Sequence, residues 1–239
     1  MQQRLPSLLN PPIAFAHRGA RAHTRENTLE AFQLALRLGA TGLESDVWLS
    51  ADGIPVLDHD GIVRRRLRKC PIAEQAHAQL PDHIPTLAQL LTSCGADYDL
   101  SLDLKSAAAG AAVVAVVKDL APALLPRLWL CHPDGELLKS LRPVDADVRL
   151  VLSTRLARLK EGPERRAATM AEQGIDAINL HYSDWTGGLT TLFHRFGRVA
   201  FAWDLQYDHL LRDVLRMGAD GVFSDWVDRM MEAVRLEVP

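Results

Sequence analysis

Short apolar runs alternate along this chain with segments whose apolar residues recur every three or four positions. The runs at 13–17, 42–49, 99–105, 128–132, 148–153, 177–181, 199–203 and 221–224 have the length and composition of strands. Between them the spacing predicts helices over 28–38, 87–91, 107–120, 135–141, 164–173, 188–196, 208–217 and 227–234. The first helix sets Leu29, Phe32, Leu34, Ala35 and Leu36 at helical spacing, with Asn27 expected as its N-cap and Gly39 closing it. Met230 and Met231 in the last helix read as core filling. A further extended piece, 55–59, follows the tight-turn pair Asp52 and Gly53. It is expected to form a hairpin with the second strand or to continue it past a bend.

Strand followed by helix, repeated eight times, predicts a parallel sheet with helices outside. At 239 residues the repeat is about 30 residues per unit, the dimension of a (β/α)8 TIM barrel. A doubly wound sheet would offer a Gly-rich turn after the first strand, but that turn reads His17, Arg18, Gly19, Ala20. No Pro-, Gly- or Ser-rich linker interrupts the chain, so residues 1–239 are expected to form a single domain. Composition agrees with a globular class: 48% of residues are hydrophobic and 24% charged. Lys plus Arg is 27 against 30 Asp plus Glu, which gives no drive toward nucleic acid. No apolar run approaches the ~18 residues of a membrane span, and the N-terminus lacks the apolar stretch of a secretory signal. Cys70, Cys94 and Cys131 are widely spaced and form no C-x-x-C pair. Reduced thiols and a cytoplasmic location are expected.

Polar chemistry gathers where the strands end, the face on which barrels carry their active sites. Glu44 and Asp46 are two apart on one strand and so share a face. Two carboxylates aimed together into a barrel mouth need compensation, and their hard oxygens suit Mg²⁺ or Ca²⁺. Asp103 can complete a three-carboxylate site, while Lys105, two residues on, faces a negative ligand. Salt bridges between Asp103 and Lys105, or Glu44 and Arg18, are the alternative use of these pairs. His17 and His59 bracket the carboxylate strand and can exchange protons near neutral pH. Arg18 offers bidentate recognition of phosphate oxygens. His132 and His181 also reach strand ends, where a supporting role is expected. Ser224 and Asp225 are expected to cap the last helix. Arg64, Arg65, Arg66, Arg68 and Lys69 read as a solvated loop face, or else as an attractor of phosphates and anionic lipid headgroups.

The ordered set His17, Arg18, Gly19; Glu26, Asn27, Thr28; Glu44, Ser45, Asp46; Asp52, Gly53; His59, Asp60 resembles the glycerophosphodiester phosphodiesterase family. So do Pro85, Thr86, Leu87 with Asp103, Leu104, Lys105, then Ala202, Trp203, and Gly218 to Gly221 with Ser224, Asp225. The resemblance implies a TIM barrel and metal-dependent hydrolysis of a small glycerophosphodiester or lysophospholipid. Glycerol 3-phosphate and an alcohol would be the products. It implies Glu44, Asp46 and Asp103 as metal ligands, His17 and His59 as the acid/base pair, and Arg18 and Lys105 on the phosphate. Trp203 would wall the glycerol or the leaving group. Three departures stand out. Asp103 replaces the usual Glu, as in the related sphingomyelinase D-like branch, which acts through a cyclic phosphate. Arg25 stands where Pro commonly precedes the Glu-Asn-Thr string. Only residues 61–84 form the cap after strand two, so a more open mouth is expected. Two further classes stay open: a Schiff-base aldolase using Lys105, which Asp103 and Glu44 disfavour by keeping the lysine protonated, and a non-catalytic binding barrel.

Overall fold

The computed structural model describes residues 4–65 and 68–238. Eight strands close a parallel ring: β1 (Ile13–Ala16), β2 (Gly42–Leu49), β6 (Asp99–Leu104), β7 (Leu128–His132), β8 (Arg149–Thr154), β9 (Ala177–His181), β10 (Val199–Trp203) and β11 (Gly221–Ser224). Closure runs through β1, which pairs with β11 along its length and with β2 through Phe15 and Ala16. The helices alternate with these strands: α1 (Leu29–Arg37), α2 (Leu87–Cys94), α3 (Ala109–Leu120), α4 (Gly135–Leu141), α5 (Pro163–Glu172), α6 (Gly187–Arg195), α7 (Asp208–Arg216) and α8 (Val227–Glu237). This is the (β/α)8 TIM barrel that the alternation predicts. No described helix is long and apolar enough to cross a membrane.

The period-2 alternation of the strands separates two cores. Outward residues such as Leu43, Val47, Leu100, Leu102 and Leu104 pack under the helices. Inward residues Ile13, Phe15, Trp129, Cys131, Val151, Ala177, Phe201 and Phe223 plug the barrel interior. Phe15 stacks on Phe223 at 4.5 Å and meets Phe201 edge-on at 5.4 Å. The plug dictates glycine at two flanking strand starts. A Cβ on Gly42 would lie 2.5 Å from Phe15 Cδ1, and one on Gly221 2.7 Å from Phe201 Cδ1. Below the plug, the buried Asp220 accepts from the amides of Leu9 and Ala200 and pairs with His194, tying the incoming N-terminal segment to the barrel base. Met230 is fully buried and Met231 partly so, as core filling requires.

The piece after Gly53 forms β3 (Pro55–Leu57), antiparallel to β2, which makes it the hairpin. The cap holds a second, unforeseen hairpin, β4 (Ile62–Arg65) with β5 (Arg68–Pro71). Val63, Ile72, Leu80 and Ile84 give it a small core against Val56 and Trp48. Arg64, Arg65, Arg68 and Lys69 are exposed on this ribbon; Arg66 lies outside the described residues. Asn27 does not cap α1. Thr28 does so, its side chain accepting from the Ala31 amide at 3.2 Å, because Thr28 is extended while Asn27 turns inward with φ +54°.

Candidate active site

Inward alternation carries Glu44 and Asp46 on β2, and Asp103 with Lys105 at the end of β6, to one spot at the mouth. One oxygen from each of Glu44, Asp46 and Asp103 lies within 4.8 Å of the others. Arg18 and His17 follow β1, the neighbouring stave. Arg18 adopts φ +54°, which lets its amide donate to Glu44 Oε2 at 2.9 Å while its guanidinium lies 3.5 Å from Asp46 Oδ2. Glu26 holds that guanidinium from the other side at 3.1 Å. The inward turn of Asn27 fixes this loop: the Ser45 hydroxyl on the back of β2 donates to Asn27 Oδ1 at 2.7 Å, and the Asn27 amide donates to the Arg18 carbonyl. His17, Arg18, Glu44, Asp46, His59, Asp103, Lys105 and Trp203 all line one cavity of about 420 Å³.

The electrostatics are dominated by the three clustered carboxylates. Burial and the neighbouring Asp46 and Asp103 push the Glu44 carboxyl up to about 8, although His17 opposes this. Enclosure in the mouth, with Asp46 beside it, raises Asp103 to about 6, although Asp103 keeps more contact with the cavity than Glu44 does. Lys105 Nζ sits 2.6 Å from Asp46 Oδ1, and the surrounding carboxylates raise its pKa against the effect of burial. That holds the ammonium charged, the opposite of what imine formation needs. Asp46 Oδ2 is buried with no hydrogen-bond partner among the described residues. Three converging carboxylates, one orphaned oxygen and one carboxyl driven toward protonation fit a hard divalent cation.

The two histidines are held differently. His17 Nδ1 pairs with Asp225 Oδ1 at 2.6 Å, and its Nε2 lies 3.8 Å from Glu44 Oε2. Burial would lower the His17 pKa, but Glu44 and the Asp225 hydrogen bond reverse this and the net shift is upward. Asp225 is therefore a partner of His17. It does not cap α8, whose first residue lacks any side-chain cap, although the Ser224 hydroxyl accepts from the Trp226 amide. His59 is more exposed and, among the described residues, pairs only with the adjacent Asp60, at 2.8 Å. His181 supports Trp203, meeting its ring edge-on at 4.6 Å and pairing with Asp204 at 3.2 Å. His132 instead accepts the Asp134 amide in a local turn. Ser153, Asn179 and Asp204 also line the cavity. Ser153 stands beside no spacing signal in the sequence, whereas Asn179 lies two before His181 and Asp204 adjoins Trp203.

Residues 17–229 match the glycerophosphoryl diester phosphodiesterase family. The chain belongs to that family. Membership places it among the phosphoric diester hydrolases. Among relatives, glycerophosphodiester phosphodiesterase 1 of Rattus norvegicus is 33% identical over 226 residues, covering 85% of this chain and 67% of the rat protein. Two solved structures share the fold at 24% identity. A phosphodiesterase of Oleispira antarctica, in complex with the product sn-glycerol-3-phosphate, superposes with TM-score 0.82 over 94% of this chain and 97% of its own. A glycerophosphodiester phosphodiesterase of Thermotoga maritima gives TM-score 0.79 over 92% and 97%.

Proposed function

We propose that the protein hydrolyses glycerophosphodiesters to glycerol 3-phosphate and an alcohol, with Glu44, Asp46 and Asp103 holding Mg²⁺ or Ca²⁺. The observation that carries this reading is the convergence of those three carboxylates within 4.8 Å, flanked by two imidazoles and two cationic side chains. A bound divalent cation would offset the negative charge that develops on the phosphoryl oxygens. Arg18 and Lys105 add fixed positive charge at the same place, already oriented by Asp46 and Glu26. His17 and His59 form the acid/base pair, one taking the proton of the nucleophile and the other returning one to the leaving alcohol. With Nδ1 of each ring engaged by a carboxylate, Nε2 is the nitrogen left for that exchange. Trp203 forms an apolar wall, its own face approached by the Arg155 guanidinium at 5.9 Å. The three unpaired cysteines support the cytoplasmic location expected of the chain.

A panel of glycerophosphodiesters and lysophospholipids, with glycerol 3-phosphate detected enzymatically, tests the reaction. Release of glycerol 3-phosphate from several diesters is expected. Cyclic phosphate from lysophospholipids as the main product would move the protein to the sphingomyelinase D-like chemistry.

A further inference from the structure

The proposed chemistry leaves one charged feature of the chain unused. The β4–β5 ribbon of the cap carries Arg64 and Arg65 on one strand and Arg68 and Lys69 on the other, all exposed. Register sets Arg64 directly opposite Lys69, and Arg65 directly opposite Arg68. Like charges facing each other across a strand pair weaken it. Among the described residues no carboxylate pairs with any of the four, and Asp60, just before the ribbon, pairs with His59 instead. Arg65 donates to the Gln79 carbonyl, which leaves its charge uncompensated. The whole chain holds 27 basic against 30 acidic residues, so this concentration of positive charge is local.

Alternation separates the two faces of the ribbon. Val63, 6% exposed, points into the small cap core with Ile72, Leu80 and Ile84. Ile62 and Arg64 flank it and so share the other face, with Pro71 and Lys69 opposite them. Ile62 is 41% exposed, one of the few large apolar side chains left on the surface. The outer face thus presents an apolar pair beside a cationic pair. A bilayer surface takes both, cations at its acidic headgroups and apolar side chains at the boundary beneath them. Nucleic acid would use the charges and leave Ile62 idle. Ile62 and Arg64 also rim a groove of about 430 Å³ that reaches His59, which in turn lines the catalytic cavity. The ribbon therefore stands beside the open side of the barrel mouth.

We propose that the outer face of the β4–β5 ribbon docks the protein on an anionic lipid bilayer. Arg64 and Lys69 engage the acidic headgroups, Ile62 enters the interfacial layer, and Arg68 adds charge at the same end. The negative surface relieves the cross-strand repulsion that the ribbon bears in solution. The docking goes beyond the hydrolytic reading above and does not rest on it, and its test needs no turnover.

Vesicle flotation reads the docking. The wild type is expected to float with phosphatidylcholine vesicles containing about one-third phosphatidylserine, and not with phosphatidylcholine alone. Arg64→Gln combined with Lys69→Gln should weaken binding at least about tenfold, since each basic side chain near an anionic surface contributes about fivefold. That double variant should melt no lower than the wild type, because a repelling pair has gone. Raising the salt from about 0.1 M to about 0.5 M should release the wild type. Ile62→Ser, with every charge kept, should weaken flotation by about threefold, the share of the apolar contact. Equal flotation of the wild type with both kinds of vesicle would overturn the docking, as would a double variant that floats like the wild type. Ribbon-dependent capture of a short DNA duplex without flotation would also overturn it and make the occupant a nucleic acid. Flotation of a protein that cleaves no glycerophosphodiester would uphold the docking and sink the hydrolytic reading. Cleavage without flotation would do the reverse.

Discussion

The two ends of the barrel interior obey opposite rules. The floor is an aromatic plug in which Phe15, Phe201 and Phe223 meet at close range and even a methyl group on Gly42 or Gly221 has no room. The mouth, one or two residues further along the same strands, gathers three carboxylates that repel one another and leaves Asp46 Oδ2 without a hydrogen bond among the described residues, with only the Arg18 guanidinium at 3.5 Å. The floor stabilises the fold and has no chemistry to offer. The mouth gathers charge at the cost of stability, the usual trade of a functional site. One strand serves both, because each inward step of two residues moves from packing to chemistry.

That contrast breaks most visibly at Glu44. Glu44→Gln keeps the shape and removes the charge, so activity should fall by at least ~10³-fold, the scale on which loss of transition-state charge stabilisation is felt. Cation affinity, measured by calorimetry, should fall with it. The metal-free variant should nevertheless be at least as stable to heat as the wild type, because a buried carboxyl that must take up a proton for the chain to fold at neutral pH has gone. A metal-free variant that melts well below the wild type would show that Glu44 supports the fold.

Next come the histidines. His17→Ala and His59→Ala should each lower kcat by at least ~10²-fold with the fold intact by circular dichroism. Asp225→Asn should cost less, about tenfold in kcat, since it loosens the orientation of His17 and leaves the ring in place. Its pH–rate profile should shift on the limb that belongs to His17, toward lower pH, because a carboxylate that raises the His17 pKa has been neutralised. An unchanged profile would remove Asp225 from the site.

At the floor the effects should be moderate and purely structural. Gly42→Ala or Gly221→Ala should cost about 1–3 kcal/mol of stability by overpacking against Phe15 or Phe201. Denaturant titration reads that loss, and kcat of the folded fraction should not move. The gentlest probe is pH. The folded, metal-free protein holds the Glu44 proton up to about pH 8, whereas an unfolded glutamate releases it near ~4.3. Between those values the folded state binds more protons, so metal-free stability should decline as pH rises, by up to about 1.4 kcal/mol per pH unit for one proton. A divalent cation replaces the proton and should flatten the slope. Metal-free stability that rises from pH 5 to pH 8 would contradict the raised Glu44.

Much of this is legible in the sequence alone. The eight strands carry their own periodicity, and Glu44 with Asp46, or Asp103 with Lys105, declare a shared face by being two apart. What stayed hidden is what depends on closure of the ring. Asp225 meets His17 only because β11 pairs with β1, across a separation of 208 residues. Asn179 has no polar neighbour at strand spacing except His181, so nothing local marks it as facing the cavity. Asn27 was expected at a helix cap because its residue type favours one. Its pull toward Ser45 on β2, a tertiary hydrogen bond, won over that local preference. The β4–β5 ribbon was masked by its run of arginines, which reads as loop although Val63 and Ile72 anchor it underneath.

In the proposed reaction the carboxylate triad at the mouth holds a cation on which phosphodiester hydrolysis depends. That dependence is tested most directly by stripping the protein with chelator, verifying the metal content by atomic emission, and assaying glycerophosphocholine before and after adding back Mg²⁺ or Ca²⁺. The stripped wild type is expected to release no glycerol 3-phosphate above background, one of the two ions to restore release, and neither to restore it in Glu44→Gln. Full turnover by verified metal-free protein would contradict it.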